Sequence, residues 1–309
     1  MGRMHPLAFL LAAGCYQPVA SPGAPCSVDG ECPSAQRCVA GTCRPDGFVE
    51  PLDAPIAPPI DDALDAPDAV APLGPWSSPT KIPGVNTTSV EGDPSLTPDR
   101  LTIVFISNRN GNDDVFIGTR ATTSDPFTVS VLAIVNSGAP ERSAEISADG
   151  ATLFFTSRRN GNEDVFRSTK IGGVFSPPLL VTELSTTMNE GDVAISPDGL
   201  TALVARANDL YLTTRTSTSG PFAVPTLVPE LDITDNVAAP SLTDDAAAVY
   251  LHAGATRDLY VAYRQGPSFT TPVPIAELDT AAREAAPFVS SDDRHLAFER
   301  DGELFESSR

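Results

Sequence analysis

The feature that most constrains this chain is a unit that recurs five times along it. Its opening reads DPSLTPD from Asp93, SAEISAD from Ser143, DVAISPD from Asp192, APSLTDD from Ala239 and APFVSSD from Ala286, so the starts lie 50, 49, 47 and 47 residues apart. Periods of this size belong to propellers and repeat arrays, in which each unit buries its apolar faces only against its neighbours.

Each unit breaks into short runs separated by turn chemistry. After the opening run comes a turn holding Asp99, Asp149, Asp198, Asp245 or Asp292, in each case two residues after a Ser or Thr. Such side chains bond the nearby backbone and set turns. A second run follows (LTIVFIS, ATLFFTS, TALVAR, AAVYLHA, HLAFER), then a third (DVFIGT, DVFRST, DLYLTT, DLYVAY, ELFESS). Both are short and rich in β-branched or aromatic residues, which predicts strands, and no useful length of chain carries helical periodicity. A fourth run opens on an aromatic with Pro three residues on: Trp76 and Pro79, Phe175 and Pro178, Phe222 and Pro225, Phe269 and Pro272, with Ser130 in place of Pro after Phe127. Proline removes a ladder donor and is tolerated on a sheet edge rather than inside it, so this run is the outermost strand of its sheet.

The outer runs are offset from the rest. One, at Trp76, precedes the first complete unit, and none follows the last, whose ELFESS lies directly before Arg309. A ring absorbs the offset. If the Trp76 strand pairs with the run around Leu304, the two parts of the chain share one four-stranded blade and two exposed edges disappear. An open array would leave both edges frayed. The expectation is an all-β chain in which residues 76–309 form a five-bladed β-propeller of four-stranded blades, the N-terminal outer strand closing the last blade.

The segments LTPDRLTIVFISNRNGNDDVFIGTR and ISPDGLTALVARANDLYLTTR resemble the WD40-like (PD40) repeats of TolB-like bacterial propellers, whose motif runs S-P-D-G, a strand, S-x-R and D-[IVL]-[YF]. The resemblance covers about three quarters of the chain; the fourth and fifth units lack the Pro and Gly of the turn. It implies a periplasmic-type propeller, although five blades depart from the six of TolB itself.

Ahead of the repeats the composition changes twice. MGRMHPLAFLLAAGC holds one Arg, an apolar run from Pro6 to Ala13 too short to span a bilayer, and then Cys15, so residues 1–14 read as a signal peptide. LAAGC is similar to a bacterial lipobox, which implies diacylation of Cys15, with residues 15–25 as lipidated tether; Tyr16, where retained lipoproteins carry Asp, implies the outer membrane, facing either the periplasm or the cell surface. An ordinary secretory signal is the competing reading. Cys26, Cys32, Cys38 and Cys43 within 26–43 form an even, closely spaced set that reads as two disulfides with three possible pairings. A four-thiolate zinc site lacks its usual close-paired spacing here. Residues 44–75, dominated by Pro, Ala and Asp, read as an extended linker.

The formal charge of -20 opposes nucleic acid and anionic lipid, so contact with a membrane is expected through the anchor alone. The paired stretches FISNRNGNDDVF and FTSRRNGNEDVF read as hairpin turns around Asn110-Gly111 and Asn160-Gly161. Asn108, Asn110, Asn112 and Asp114 alternate like calcium ligands, but Arg158 replaces Asn108 in the second copy and each loop carries an Arg, so no metal is assigned. Asp114, Asp164, Asp209 and Asp258 precede the third strands, where pairing with a loop Arg is expected. Glu91, Glu141, Glu190 and Glu284 share one register where four units enter their first strand, with Asp93 and Asp192 two residues on. Propeller symmetry would bring these six toward one mouth of the central channel, which makes them candidate ligand-binding residues, while their repetition equally suits a structural role. No phosphate loop, nucleophile elbow or His-rich pattern is present, so no catalytic residue and no cofactor is assigned. The reading is an anchored, monomeric binding or scaffolding module for a protein, peptide or cell-wall ligand. The alternative is a glycosidase-like enzyme using carboxylates at the mouth.

Overall fold

A computed structural model describes residues 32, 36–39, 42–45, 73–233 and 236–309. The chain divides into two compact units, Met1–Val70 and Ala71–Arg309. In the first, strands Gln36–Val39 and Thr42–Pro45 form an antiparallel hairpin with Cys38 opposite Cys43. Cys43 is bridged to Cys32, and Cys38 is also disulfide-bonded, so thiolate zinc ligation is replaced by disulfide chemistry at these three. The signal segment, Cys15, Cys26 and most of the linker lie outside the described residues.

The second unit is a five-bladed β-propeller. Blade 1 comprises Glu91–Leu96, Thr102–Ser107, Asp114–Thr119 and Thr128–Val131. Blade 2 comprises Glu141–Ile146, Thr152–Ser157, Asp164–Ile171 and Leu179–Leu180, and blade 3 Glu190–Ile195, Thr201–Arg206, Asp209–Thr214 and Thr226–Leu227. Blade 4 comprises Ala238–Leu242, Ala248–Ala253, Asp258–Gln265 and Val273–Pro274. Blade 5 comprises Glu284–Val289, His295–Arg300 and Glu303–Ser308, and its outer strand is Thr80–Lys81 from the start of the unit.

Ring closure is therefore as expected. Lys81 pairs with Phe305 and Thr80 with Glu306, flanked by the Ile82 N–H on the Leu304 carbonyl at 3.0 Å and the Ser77 N–H on the Ser308 carbonyl at 2.9 Å. The first strand of each blade is innermost, and these five strands contact one another in sequence around a central channel.

Apolar clusters hold the ring at all five interfaces between blades. Val104, Ile106 and Val115 of blade 1, for example, pack on Ala144, Leu153, Phe155 and Phe166 of blade 2. Both faces of a blade are thus covered, which is why the second strands of blades 3 and 4 are buried along their whole length instead of alternating. The aromatic ahead of each outer strand is itself buried, and a cation lies over its ring: Arg120 on Phe127 at 4.2 Å, Lys170 on Phe175 at 4.9 Å, Arg215 on Phe222 at 4.3 Å, Arg264 on Phe269 at 5.3 Å and Arg309 on Trp76 at 4.4 Å. The turn acids act as their spacing demands. Thr97 donates Oγ1 to Asp99 at 2.6 Å and the Leu101 N–H donates to the same carboxylate at 3.0 Å, an arrangement repeated at Asp149, Asp198 and Asp292.

Candidate functional site at the channel mouth

The six carboxylates singled out by register separate into two groups. Glu91, Glu141, Glu190 and Glu284 are fully buried, and each is held by the same kit. The Thr or Ser four residues upstream donates its hydroxyl to Oε1, from Thr87 at 2.7 Å, Ser137 and Thr186 at 2.6 Å, and Thr280. An Arg completes the set: Arg109 at 3.0 Å and Arg159 at 2.9 Å from just beyond the second strand, Arg206 and Arg300 at 2.8 Å from its last residue, directly across the ladder. Where the Arg comes from the loop, Ser107 or Ser157 occupies the ladder position and donates to the same carboxylate at 3.0 Å.

Blade 4 lacks the whole set. Val237 takes the Glu register and Ala253 the Arg register, both buried in one apolar cluster. Glu and Arg are present together or absent together because either one alone would be an uncompensated buried charge. These four glutamates face the seams between blades, and none lines the channel mouth.

Asp93 and Asp192 do line it. A cavity of about 290 Å³ opens at the N-terminal ends of the innermost strands, with residues from all five blades in its wall. Its charged groups include Asp93, Glu163, Asp192 and Glu299 together with Arg142, Arg257 and Arg283. Arg142 pairs with Asp113 at 3.4 Å and Glu163 at 3.7 Å, and Arg283 with Glu299 at 3.5 Å. The guanidinium of Arg257 makes no ion pair or hydrogen bond among the described residues.

The innermost strands bulge where they enter the channel, and in four blades the bulge residue adopts a left-handed backbone: Asp93, Ser143, Ala239 and Ala286, with φ of 48°, 49°, 46° and 47°. A side chain of the preceding blade takes up a bulge N–H of the next. Asp93 accepts from Ser143 at 2.9 Å, the Ser143 hydroxyl from Val193 at 2.9 Å, Asp192 from Ala239 at 3.1 Å, and His252 Nδ1 from Ala286 at 3.2 Å. This belt stitches the mouth together, and Asp93 and Asp192 both belong to it and to the cavity wall.

Burial sets the titration of the mouth. It raises the Asp93 carboxyl, against the pull of the Ser143 N–H and Arg142. Asp192 is pushed up to about 7, first by burial and then by the charge of Asp93. Glu299 is raised by burial against Arg283, and His252 is pushed down to about 3 by burial and by Arg257 and Arg283, so its imidazole is a neutral acceptor. Further down the channel Glu145 is pushed up to about 8 by burial, with Ser95 bonding it. At the other end the wall is mixed, with Leu96, Ile146, Ile195, Leu242 and Phe288 beside Arg100, Glu145 and several serines.

Asn-Gly loops are scaffold. Gly111 and Gly161 hold φ of 94° and 115° in the turn, and the flanking amides reach the next blade: Asn112 donates to the Ala139 carbonyl at 2.9 Å, and Asn162 to the carbonyls of Thr186 at 3.1 Å and Met188 at 2.8 Å. The acids ahead of the third strands do not take a loop Arg. Asp164 accepts from Asn162 at 3.0 Å and Asp258 from Thr256 at 2.9 Å. In blades 1 and 2 the loop Arg is already committed to the buried Glu.

Register reasoning missed Arg142, Arg257, Arg283, His252, Glu299 and Glu145. For two of them a signal was present. Arg142 and Arg283 flank a buried Glu, and adjacent residues on a strand point to opposite faces. Arg257 and His252 come from other strands and loops of their blade, and only the fold brings them to the mouth.

No protein-family model matches the sequence, and no curated protein matches it. Solved structures do. TolB from Acinetobacter baumannii is 17% identical over 72% of this chain with a TM-score of 0.48, and the chain spans 55% of its length. The α-L-arabinofuranosidase PaAbf62A from Podospora anserina, solved with cellotriose, is 10% identical over 76% of this chain and 96% of its own, with a TM-score of 0.52. The GH62 α-L-arabinofuranosidase catalytic domain from Coprinopsis cinerea is 11% identical over 76% of this chain and 97% of its own, with a TM-score of 0.51. The likeness is one of fold. At these identities the arabinofuranosidases support the fold alone and carry no residue roles across.

Proposed function

We propose that this protein is an outer-membrane lipoprotein whose propeller is a binding module, engaging a protein, peptide or cell-wall ligand at the polar mouth of its channel. One observation carries the reading: the cavity of about 290 Å³ gathers side chains from five blades and includes Arg257, whose guanidinium makes no ion pair or hydrogen bond among the described residues. A concave, pre-formed site with a few convergent polar groups is the usual form of a ligand pocket. Arg257, Arg142 and Arg283 beside Asp192 and Glu299 suit a ligand that offers both an anionic and a hydrogen-bond-donating group, such as a peptide terminus. The anchor at Cys15 and the linker of residues 44–75 supply tethering and reach.

Glycan hydrolysis is the second reading. The four register glutamates offer no solvent-accessible carboxylate for it, so an enzyme of this kind would work through Asp93, Asp192 and Glu299, whose raised carboxyls suit a general acid.

The test uses the chain with Cys15→Ser as bait in envelope extracts, beside the same bait carrying Arg257→Glu. Binding predicts a partner retained by the first and reduced at least about tenfold by the second, the loss of a charge-assisted contact. No retained partner, together with turnover of an arabinose- or xylose-containing glycan that Asp192→Asn abolishes, would replace the module with an enzyme. Metabolic labelling with an alkyne fatty acid, lost in Cys15→Ser, tests the anchor.

A further inference from the structure

The seam between blades 4 and 5 differs from its sisters in a way that calls for a ligand. In blades 1, 2 and 3 the second oxygen of the buried glutamate, Oε2, accepts the backbone N–H of Thr87, Ser137 or Thr186 at 2.9, 3.2 and 3.0 Å. In blade 5 Oε2 of Glu284 is equally buried and has no hydrogen-bond partner among the described residues.

The residue five positions before the glutamate changes as well. In the sister loops it is neutral and clamps the third strand of the preceding blade by both of its backbone groups. Asn86 donates to the Leu304 carbonyl at 3.0 Å and accepts its N–H at 2.7 Å; Asn136 does the same at Val115 at 3.0 and 2.8 Å; Ser185 accepts the Val165 N–H at 3.1 Å. At blade 5 the position is Asp279. A carboxylate cannot donate to a carbonyl, and Asp279 makes no such clamp among the described residues.

The result is a convergence of three acids. One carboxylate oxygen each from Asp258, Asp279 and Glu284 lie within 4.8 Å of one another, and among the described residues the only cation bonded to them is Arg300, on Oε1 of Glu284 at 2.8 Å. Three negative charges against one positive leave the cluster at -2 when all are ionised, and Oε2 of its buried member, Glu284, has no hydrogen-bond partner among the described residues. Oxygen-only ligation selects hard cations over zinc or copper. Two oxygens on one calcium ion lie up to about 5 Å apart, whereas magnesium demands a tighter octahedron.

We propose that Asp258, Asp279 and Glu284 form a calcium-binding site at the seam between blades 4 and 5. The ion would replace the amide clamp that the sister seams obtain from asparagine or serine, with water filling the remaining coordination.

The experiment is calorimetric titration of calcium chloride into the full chain with Cys15→Ser, beside Asp279→Asn, which restores the sister residue, and Asp258→Asn. Wild type should take up one calcium per chain saturably, at or below the roughly 10⁻³ M typical of extracellular modules. Both variants should weaken binding at least about tenfold, and calcium should raise the melting temperature of wild type but not of Asp279→Asn, whose far-UV spectrum stays native. No saturable uptake by wild type up to about ten times that concentration, or undiminished uptake by natively folded Asp279→Asn, overturns the site.

Discussion

The exchange of a buried ion pair for an apolar pair between sister blades predicts a specific pattern of coupling. In blade 3, Glu190 receives Arg206 Nε at 2.8 Å, the Thr186 hydroxyl at 2.6 Å and the Thr186 N–H at 3.0 Å. Replacing Glu190 by Val, the residue of blade 4, strands the Arg206 guanidinium in a seam where its side chain is only 10% exposed. Removal of one partner of such a pair costs about 3–5 kcal/mol. Arg206→Ala alone strands the carboxylate, for a cost of about 3 kcal/mol. The double variant recreates the Val237 and Ala253 pair of blade 4. It keeps two smaller penalties, about 1–2 kcal/mol for the Thr186 N–H left without an acceptor and about 0.5–1 kcal/mol for the lost stacking of Arg206 on Tyr211 at 4.8 Å.

The expected double loss is therefore about 1.5–3 kcal/mol, no worse than either single and well below their sum. Urea unfolding is the assay, followed by far-UV circular dichroism and by the fluorescence of Trp76, the single tryptophan of the chain. A coupling energy of at least about 2 kcal/mol is predicted. Additive losses, with the double equal to the sum of the singles within about 0.5 kcal/mol, would refute the idea that the two residues fill one slot as a unit.

Two further outcomes follow from the same structure. Trp76→Ala removes an almost fully buried indole that meets Tyr250 edge-on at 6.2 Å and lies under Arg309, so a loss of about 3–5 kcal/mol and early exposure of the closing blade to proteolysis are expected; a loss below about 1 kcal/mol would mean that this strand does not hold the ring. Glu145 and Asp192 have folded-state carboxyls raised to about 8 and about 7, so they bind protons in the folded chain that the unfolded chain has released, and stability must fall as pH rises through those values. His252, lowered to about 3, opposes this only where an unfolded histidine protonates, below about pH 6.5. Melting temperatures should therefore decline between about pH 6.5 and 8.5, and Glu145→Gln should flatten the decline; an unchanged slope in that variant would refute the assignment.

Much of this architecture was written in the sequence. Five repeats, four runs per repeat and the displaced aromatic-Pro run at Trp76 state the blade count, the strand count and the closure, because strand periodicity, turn chemistry and the exclusion of proline from sheet interiors act locally. The turn acids and the Asn-Gly hairpins were legible for the same reason. The direction in which a carboxylate points was not. Glu91 and Asp93 stand two residues apart, yet a bulge with left-handed backbone at Asp93 sends one into a seam between blades and the other to the channel, and nothing in the residue names announces that bulge. Arg257 and His252 reach the mouth from separate elements of blade 4, and Asp258 and Asp279 meet Glu284 across a seam. Such meetings depend on how blades pack against each other, a long-range balance of burial and pairing that short-range pattern does not encode. The repeat alone determined which ring this chain builds; the packing of blade on blade decided which of its charges face the channel and which neutralise one another.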